Sequence, residues 1–275
     1  MLLRMLAQLA LIGTLLIGGM AVFQDRLLYF PERVTLAEMV SAADRARLKR
    51  WPADGEFRGL IREPEEPAQA TLVLFHGNAG HAGHRLPYAN LSRLGVRVIL
   101  AEYPGYGPRQ GDVGEASLSS DAAETIAMAH RAFGAPVLVA GESLGSGVAA
   151  AAYAKVPDAI AGLLLMTPWD SLASVAGHHY PWMPVSWLLR DHYDSQHHLA
   201  QATIPVAVVV AEKDTIVPAR FGLRLYETLS APKQMWQVTG AGHNDWLDRV
   251  DNRWWHEVVD FLLLQERRNR RVPSG

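Results

Sequence analysis

Residues 136–155, PVLVAGESLGSGVAAAAYAK, constrain the fold more than any other stretch of the chain. The run 136–140 is short, apolar and rich in β-branched valine, the length and composition of a buried strand. From Ser146 onward small helix-forming residues follow without a break. The chain must therefore turn from strand to helix within Gly141-Glu142-Ser143-Leu144-Gly145, a G-x-S-x-G sequence. A turn this tight strains the backbone at the serine, and flanking glycines let strand and helix approach without a Cβ clash. It lifts the Ser143 hydroxyl above a sheet edge, at a helix N-terminus where negative charge is stabilised. A Gly/Ser-rich turn with no chemistry would use the same residues, so the decision rests on what surrounds it.

The surroundings repeat the pattern. Apolar strands are predicted over 71–75, 96–101, 137–140, 162–166, 206–211 and 234–238, with an earlier one over 57–61. Helical stretches over 116–130, 146–154, 219–229 and 246–264 fall between or after them. Repeated strand–helix units with near-continuous apolar strands predict an α/β fold, a mostly parallel sheet flanked by helices. At 275 residues the chain suits one large domain of that kind. The exception is 168–202, too long for a plain loop and carrying Trp169, Tyr180, Trp182, Trp187 and Tyr193. It is predicted to form a small helical cap over the strand ends. A net charge of -2 provides no basic field for nucleic acid. The absence of cysteine excludes disulfides, thiolate metal sites and a Cys nucleophile.

A serine nucleophile needs a base, an orienting acid and an oxyanion site. Asp214 follows the strand 206–211 directly, and His243 follows the strand 234–238 in the loop Thr239-Gly240-Ala241-Gly242-His243. Parallel strands end at one edge, where such folds gather ligands and catalytic groups. Asp214 alone could be a turn or helix cap, and His243 an ordinary loop histidine. Ser143, Asp214 and His243 together at one edge predict a catalytic triad. The strand 71–75 ends in His76-Gly77-Asn78-Ala79-Gly80, a loop of the type that donates a backbone N–H. The N–H groups of Asn78 and Leu144 are the expected oxyanion donors.

With these residues in place the chain resembles the α/β-hydrolase family over 27–264. It is similar to the short-capped, membrane-anchored branch that includes protein depalmitoylases. The resemblance is carried by Leu27-Leu28-Tyr29-Phe30-Pro31 after an apolar run, by 76–80, and by Tyr103-Pro104-Gly105-Tyr106-Gly107. The segment 141–145, Asp214 and Gly242-His243 complete it. His81 stands where the branch often has Asn. The Cys-rich N-terminus by which eukaryotic depalmitoylases of the branch attach to membranes has no counterpart here.

Residues 5–23 form a run of 19 without a charge, preceded by Arg4 and followed by Gln24-Asp25-Arg26. As a helix it would extend about 28 Å, close to the hydrocarbon thickness of a bilayer. A cleaved signal peptide is the rival, with Gly19-Met20-Ala21 as a small-residue cleavage site, but signal cores are usually shorter. The expectation is a single-pass anchor over 1–26 and a hydrolase domain over 27–275. Tyr29 and Phe30 suit the interfacial aromatic belt, and 35–49 reads as a charged amphipathic helix suited to a membrane surface. Arg4 and the terminal amine favour a cytoplasmic N-terminus with the domain on the non-cytoplasmic side, although Arg26, Arg33 and the basic stretch 45–50 weaken that bias.

The 11 histidines include His76, His81 and His84 near the first glycine loop, yet no H-E-x-x-H pattern occurs. Neither a metal nor another cofactor is expected. The predicted function is hydrolysis of a small-molecule or lipid-like carboxylic ester or thioester through an acyl-enzyme. A peptidase or amidase on the same residues and a non-catalytic scaffold on the same fold are the rivals.

Overall fold

The computed structural model describes residues 22–264, together with Arg4, Met5, Gln8, Leu11, Gly13, Gly18 and Gly19. The predicted membrane span over 5–23 thus lies for the most part outside the described residues, among which no helix is long and apolar enough to cross a membrane. Eight strands form one sheet: β1 (Lys49–Trp51), β2 (Gly59–Arg62), β3 (Ala70–Phe75), β4 (Val96–Ala101), β5 (Val137–Glu142), β6 (Gly162–Met166), β7 (Val206–Ala211) and β8 (Lys233–Val238). Their order is β1-β2-β4-β3-β5-β6-β7-β8. β1 and β2 pair antiparallel at one edge, and β4 onward the strands run parallel.

Alternation along the parallel strands divides the core in two. Val73, Phe75, Ile99, Val139, Leu165 and Val208 point to one face. There they meet Leu118 and Ile126 of α3 (Glu115–Phe133), Val148 of α4 (Leu144–Tyr153) and Phe221 of α8 (Ala219–Thr228). Leu72, Leu74, Leu100, Leu138 and Val209 point to the other face. They pack with α2 (Leu36–Arg45), a 3₁₀ segment at Ala82–Leu94 and α9 (Asn252–Leu262). Burial on both sides explains why β6 and β7 read as unbroken apolar runs and why Thr71 is the single polar residue of β3.

Three expectations need correction. The helix predicted over 35–49 ends at Arg45, after which Arg47 turns at φ 58° and β1 begins. Its apolar face carries Met39 and Ala43 into the core, so it packs on the domain, not on a membrane surface. The helix predicted over 246–264 is two elements, a 3₁₀ turn at Leu247–Arg249 and α9, whose first turn is capped by Asp251 accepting from the Trp254 N–H at 2.8 Å. Tyr29 is not an interfacial residue: it is 4% exposed, while its neighbour Phe30 is 56% exposed.

The segment 168–202 lies over the carboxyl ends of the strands and holds α5 (Leu172–His179), α6 (Val185–Leu188) and α7 (Ser195–His198). A short helix α1 (Gln24–Leu28) packs against it from the N-terminal side.

Candidate active site

The turn after β5 is built around two glycines. A Cβ on Gly141 would lie 2.1 Å from the Gly145 carbonyl oxygen, and one on Gly145 would lie 2.2 Å from that of Phe75. Only glycine lets the first turn of α4 sit this close to β3 and β5. Ser143 between them has φ 54° and ψ −114°, a region that costs a non-glycine residue free energy. Its N–H donates to the Met166 carbonyl at 2.9 Å. Ser146 braces the turn from below, its hydroxyl donating to Gly141 O at 2.7 Å.

The sheet edge brings Ser143, Asp214 and His243 together. His243 Nδ1 lies 2.6 Å from Asp214 Oδ2, and its Nε2 lies 3.0 Å from Ser143 Oγ. The Asp214 side chain is almost fully buried, and its other oxygen accepts from the N–H groups of Ile216 at 2.9 Å and Val217 at 2.7 Å. A carboxylate so held accepts a hydrogen bond from Nδ1–H and leaves the Nε2 lone pair facing the serine hydroxyl. The His243 loop is shaped by Asp245, which accepts from the Gly242 N–H at 2.6 Å and pairs with Arg249.

Leu144 is the first residue of α4, so its N–H has no carbonyl partner within the helix. Asn78 shares a cavity of about 390 Å³ with Ser143 and Leu144. The Asn78 side chain ties its loop to the N-terminal segment: Oδ1 accepts from the Phe30 N–H and the Tyr106 hydroxyl, both at 3.0 Å, and Nδ2 donates to Leu28 O. Burial, with the Glu102 charge nearby, raises the Tyr106 pKa and keeps it a neutral donor. Cap residues Trp169, Val175 and Tyr193 close the cavity from above.

The α/β hydrolase fold profile matches residues 70–192. An uncharacterized protein of Mycobacterium tuberculosis is 36% identical over 229 residues, which make up 81% of each chain. This chain belongs to the α/β-hydrolase fold family. A lysophosphatidylserine lipase of Danio rerio, ABHD12, is 29% identical over 193 residues, 62% of this chain and 50% of that protein. Among solved structures, an esterase of Pyrococcus furiosus superposes with a TM-score of 0.64 at 17% identity, covering 86% of this chain and 97% of that one; at that identity the likeness concerns the fold.

Several residues of this α/β-hydrolase that shape the site went unread in the sequence. Glu102, at the end of β4, is fully buried; Oε1 lies 2.9 Å from His76 Nε2, and Oε2 accepts from the Ala82 N–H at 3.0 Å. Because His76 Nδ1 faces the Gly77 carbonyl at 2.7 Å, both ring nitrogens meet oxygen acceptors and the glycine loop is clamped at each end. A glutamate closing an apolar strand was the available signal. Glu142, beside the serine, is locked by Arg85 at 2.7 Å.

Among the described residues one group could hold a cation: ligand atoms of Glu32, His81 and His84 lie within 4.8 Å of one another. The Gly83 N–H donates to His81 Nδ1 at 3.1 Å, which in the neutral ring leaves the proton on Nε2. That nitrogen is the one facing Glu32, at 3.8 Å, so in this arrangement it offers a donor where a metal needs a lone pair.

Proposed function

We propose that this chain is a membrane-anchored serine hydrolase that cleaves carboxylic esters or thioesters through an acyl-enzyme. The observation that carries the reading is the relay from Ser143 Oγ to His243 Nε2 at 3.0 Å and from Nδ1 to Asp214 at 2.6 Å. Ser143 Oγ attacks the acyl carbon while His243 Nε2 takes its proton. The backbone N–H groups of Leu144 and Asn78 receive the oxyanion. His243 returns the proton to the leaving alcohol or thiol as the C–O or C–S bond breaks. It then draws a proton from water, whose oxygen attacks the acyl-enzyme and frees the acid and the serine. Asp214 holds the imidazole tautomer and steadies the imidazolium. The lipase among its relatives supports an ester bond as the target.

The uncharged run 5–23 is read as the anchor, with the hydrolase domain on the non-cytoplasmic side. A fluorophosphonate probe should label the wild-type chain at Ser143 and leave Ser143→Ala unlabelled, with hydrolysis of p-nitrophenyl butyrate lost in parallel. An unlabelled wild type, or a variant that turns over the ester normally, overturns the mechanism. Protease added to intact spheroplasts should cut the domain; resistance until the membrane is broken reverses the orientation.

A further inference from the structure

A second cavity adjoins the one that holds Ser143. An apolar slot of about 280 Å³ runs between α1 and the cap, sharing Leu27, Leu28, Phe30, Ala176 and Tyr180 with the first cavity. Its remaining wall is Gln24, Met183, Val185, Leu188 and Leu189, so no Asp, Glu, Lys, Arg or His lines it. The side-chain amide of Gln24 is engaged by backbone at both ends. Nε2 donates to Leu188 O at 3.2 Å, and Oε1 accepts from the Arg190 N–H at 2.8 Å. A polar ligand group entering the slot would exchange water for hydrocarbon with little in return. A hydrocarbon chain would lose nothing, and each buried methylene would favour binding.

The slot wall is also firm. Asp25 pairs with Arg190 at 2.8 Å, and the Tyr29 hydroxyl donates to Asp191 at 2.6 Å and lies 3.0 Å from that of Tyr193. α1 is therefore stitched to the cap along its length. At the rim Phe30 lines the slot and is exposed, and exposed aromatic side chains adjoin other lining residues in the chain, Phe23 before Gln24, Trp182 before Met183 and Trp187 before Leu188, the two tryptophans 71% and 88% exposed. Aromatic residues of this kind favour the boundary between water and lipid. The 19-residue uncharged run ends at Phe23, one residue before the slot wall begins.

We propose that this slot is the acyl-chain site of the hydrolase and that it takes a long acyl chain from a lipid surface through the aromatic rim. The inference rests on the acyl-enzyme reading above: with the acyl carbon at Ser143, the chain runs past Leu28 and Ala176 into the slot between α1 and α6. The leaving group stays on the Ser143 side, so the slot selects the acid and not the alcohol or thiol.

The test uses the full-length chain in detergent micelles and p-nitrophenyl butyrate, octanoate and myristate. Catalytic efficiency should rise from butyrate to the longer esters by on the order of tenfold or more, since each further methylene buried in the slot favours binding. Met183→Trp and Leu188→Trp fill the slot, and each should lower the myristate-to-butyrate ratio by roughly tenfold. Fluorophosphonate titration counts correctly folded sites, and the ratio is internal to each preparation. For entry from lipid, Trp187→Ser should lower turnover of myristate ester carried in phosphatidylglycerol vesicles relative to the same ester in micelles. A flat chain-length profile in a chain that hydrolyses butyrate overturns the slot and leaves the acyl-enzyme reading standing. An unchanged ratio in both filled variants, or a change of oligomeric state in their place, also overturns it. A wild-type chain that neither labels nor hydrolyses butyrate overturns both readings at once.

Discussion

The Tyr29 hydroxyl donates to the Asp191 carboxylate at 2.6 Å, joining residues 162 positions apart. Burial raises the Tyr29 pKa well beyond its ordinary value, with Tyr193 and Asp191 adding to it, so the phenol stays a neutral donor. The contact fastens the N-terminal segment to the cap, and Tyr29 and the cap residue Tyr193 line one cavity with Ser143. The cap in this chain is therefore held from outside the 168–202 insertion as well as from within it.

Asp214→Asn should preserve the fold and cost activity severely. The amide would present an N–H towards His243 or force the other tautomer, leaving a protonated Nε2 against the serine. A loss of up to roughly 10⁴-fold in kcat on p-nitrophenyl butyrate is expected. A loss of only a few-fold would mean that another acid orients the ring.

Ser143→Gly and Ser143→Ala should both be inactive, yet they should differ in stability. At φ 54° and ψ −114° alanine keeps the strain of serine, whereas glycine relieves it. The gain of about 1–3 kcal/mol is partly offset by the greater freedom of glycine in the unfolded chain. The glycine variant should melt above the alanine variant by about 2–4 °C. Equal melting temperatures would show that the turn is not strained.

Gly145→Ala should fail for the opposite reason. The new methyl would stand 2.2 Å from a backbone oxygen that cannot move without displacing β3. Destabilisation of about 3 kcal/mol or more is expected, read from the midpoint of a denaturant titration. A wild-type midpoint would contradict the close approach described.

His81 gives stability a pH dependence. Burial, with the charge of His84 beside it, holds its pKa below the ordinary value. The unfolded chain thus takes up a proton at a pH where the folded chain does not. The associated stability is complete above about pH 6.5 and is lost progressively as pH falls from there towards the folded-state pKa. In His81→Asn the amide oxygen can still accept from Gly83, but the titration is gone. The drop in Tm between neutral and mildly acidic pH should be smaller in the variant, by about a degree or two. An equal drop would remove His81 as its source.

How much could be read in advance follows from the geometry of parallel strands. Ser143, Asp214 and His243 each come within a few residues after a strand that the sequence predicts, and parallel strands end on one side, so their meeting was legible from order alone. β1 was not legible: it spans three residues, two of them Lys49 and Arg50, at an edge where a single face is buried. Tyr29 looked interfacial because aromatic character is local, whereas its partners Asp191 and Tyr193 are brought to it by the cap. The approach of Glu32 to His81 and His84 likewise depends on the bridge between Pro31 and Gly80, a contact that no local pattern announces.

The seam between Gln24 and Leu188 has a practical meaning for anyone shortening this protein. A version cut beyond Gln24 to improve solubility would remove the residue whose amide closes the slot against the cap backbone, and cuts further along would take away Leu27 and Leu28 as well. Such a truncated chain retains Ser143, Asp214 and His243, so under the proposed mechanism it should still take up a fluorophosphonate probe. If the slot selects the acyl chain as proposed, its preference among substrates would report the cut edge in place of the native wall. Specificity profiling of this hydrolase therefore has to begin from a chain that keeps Gln24.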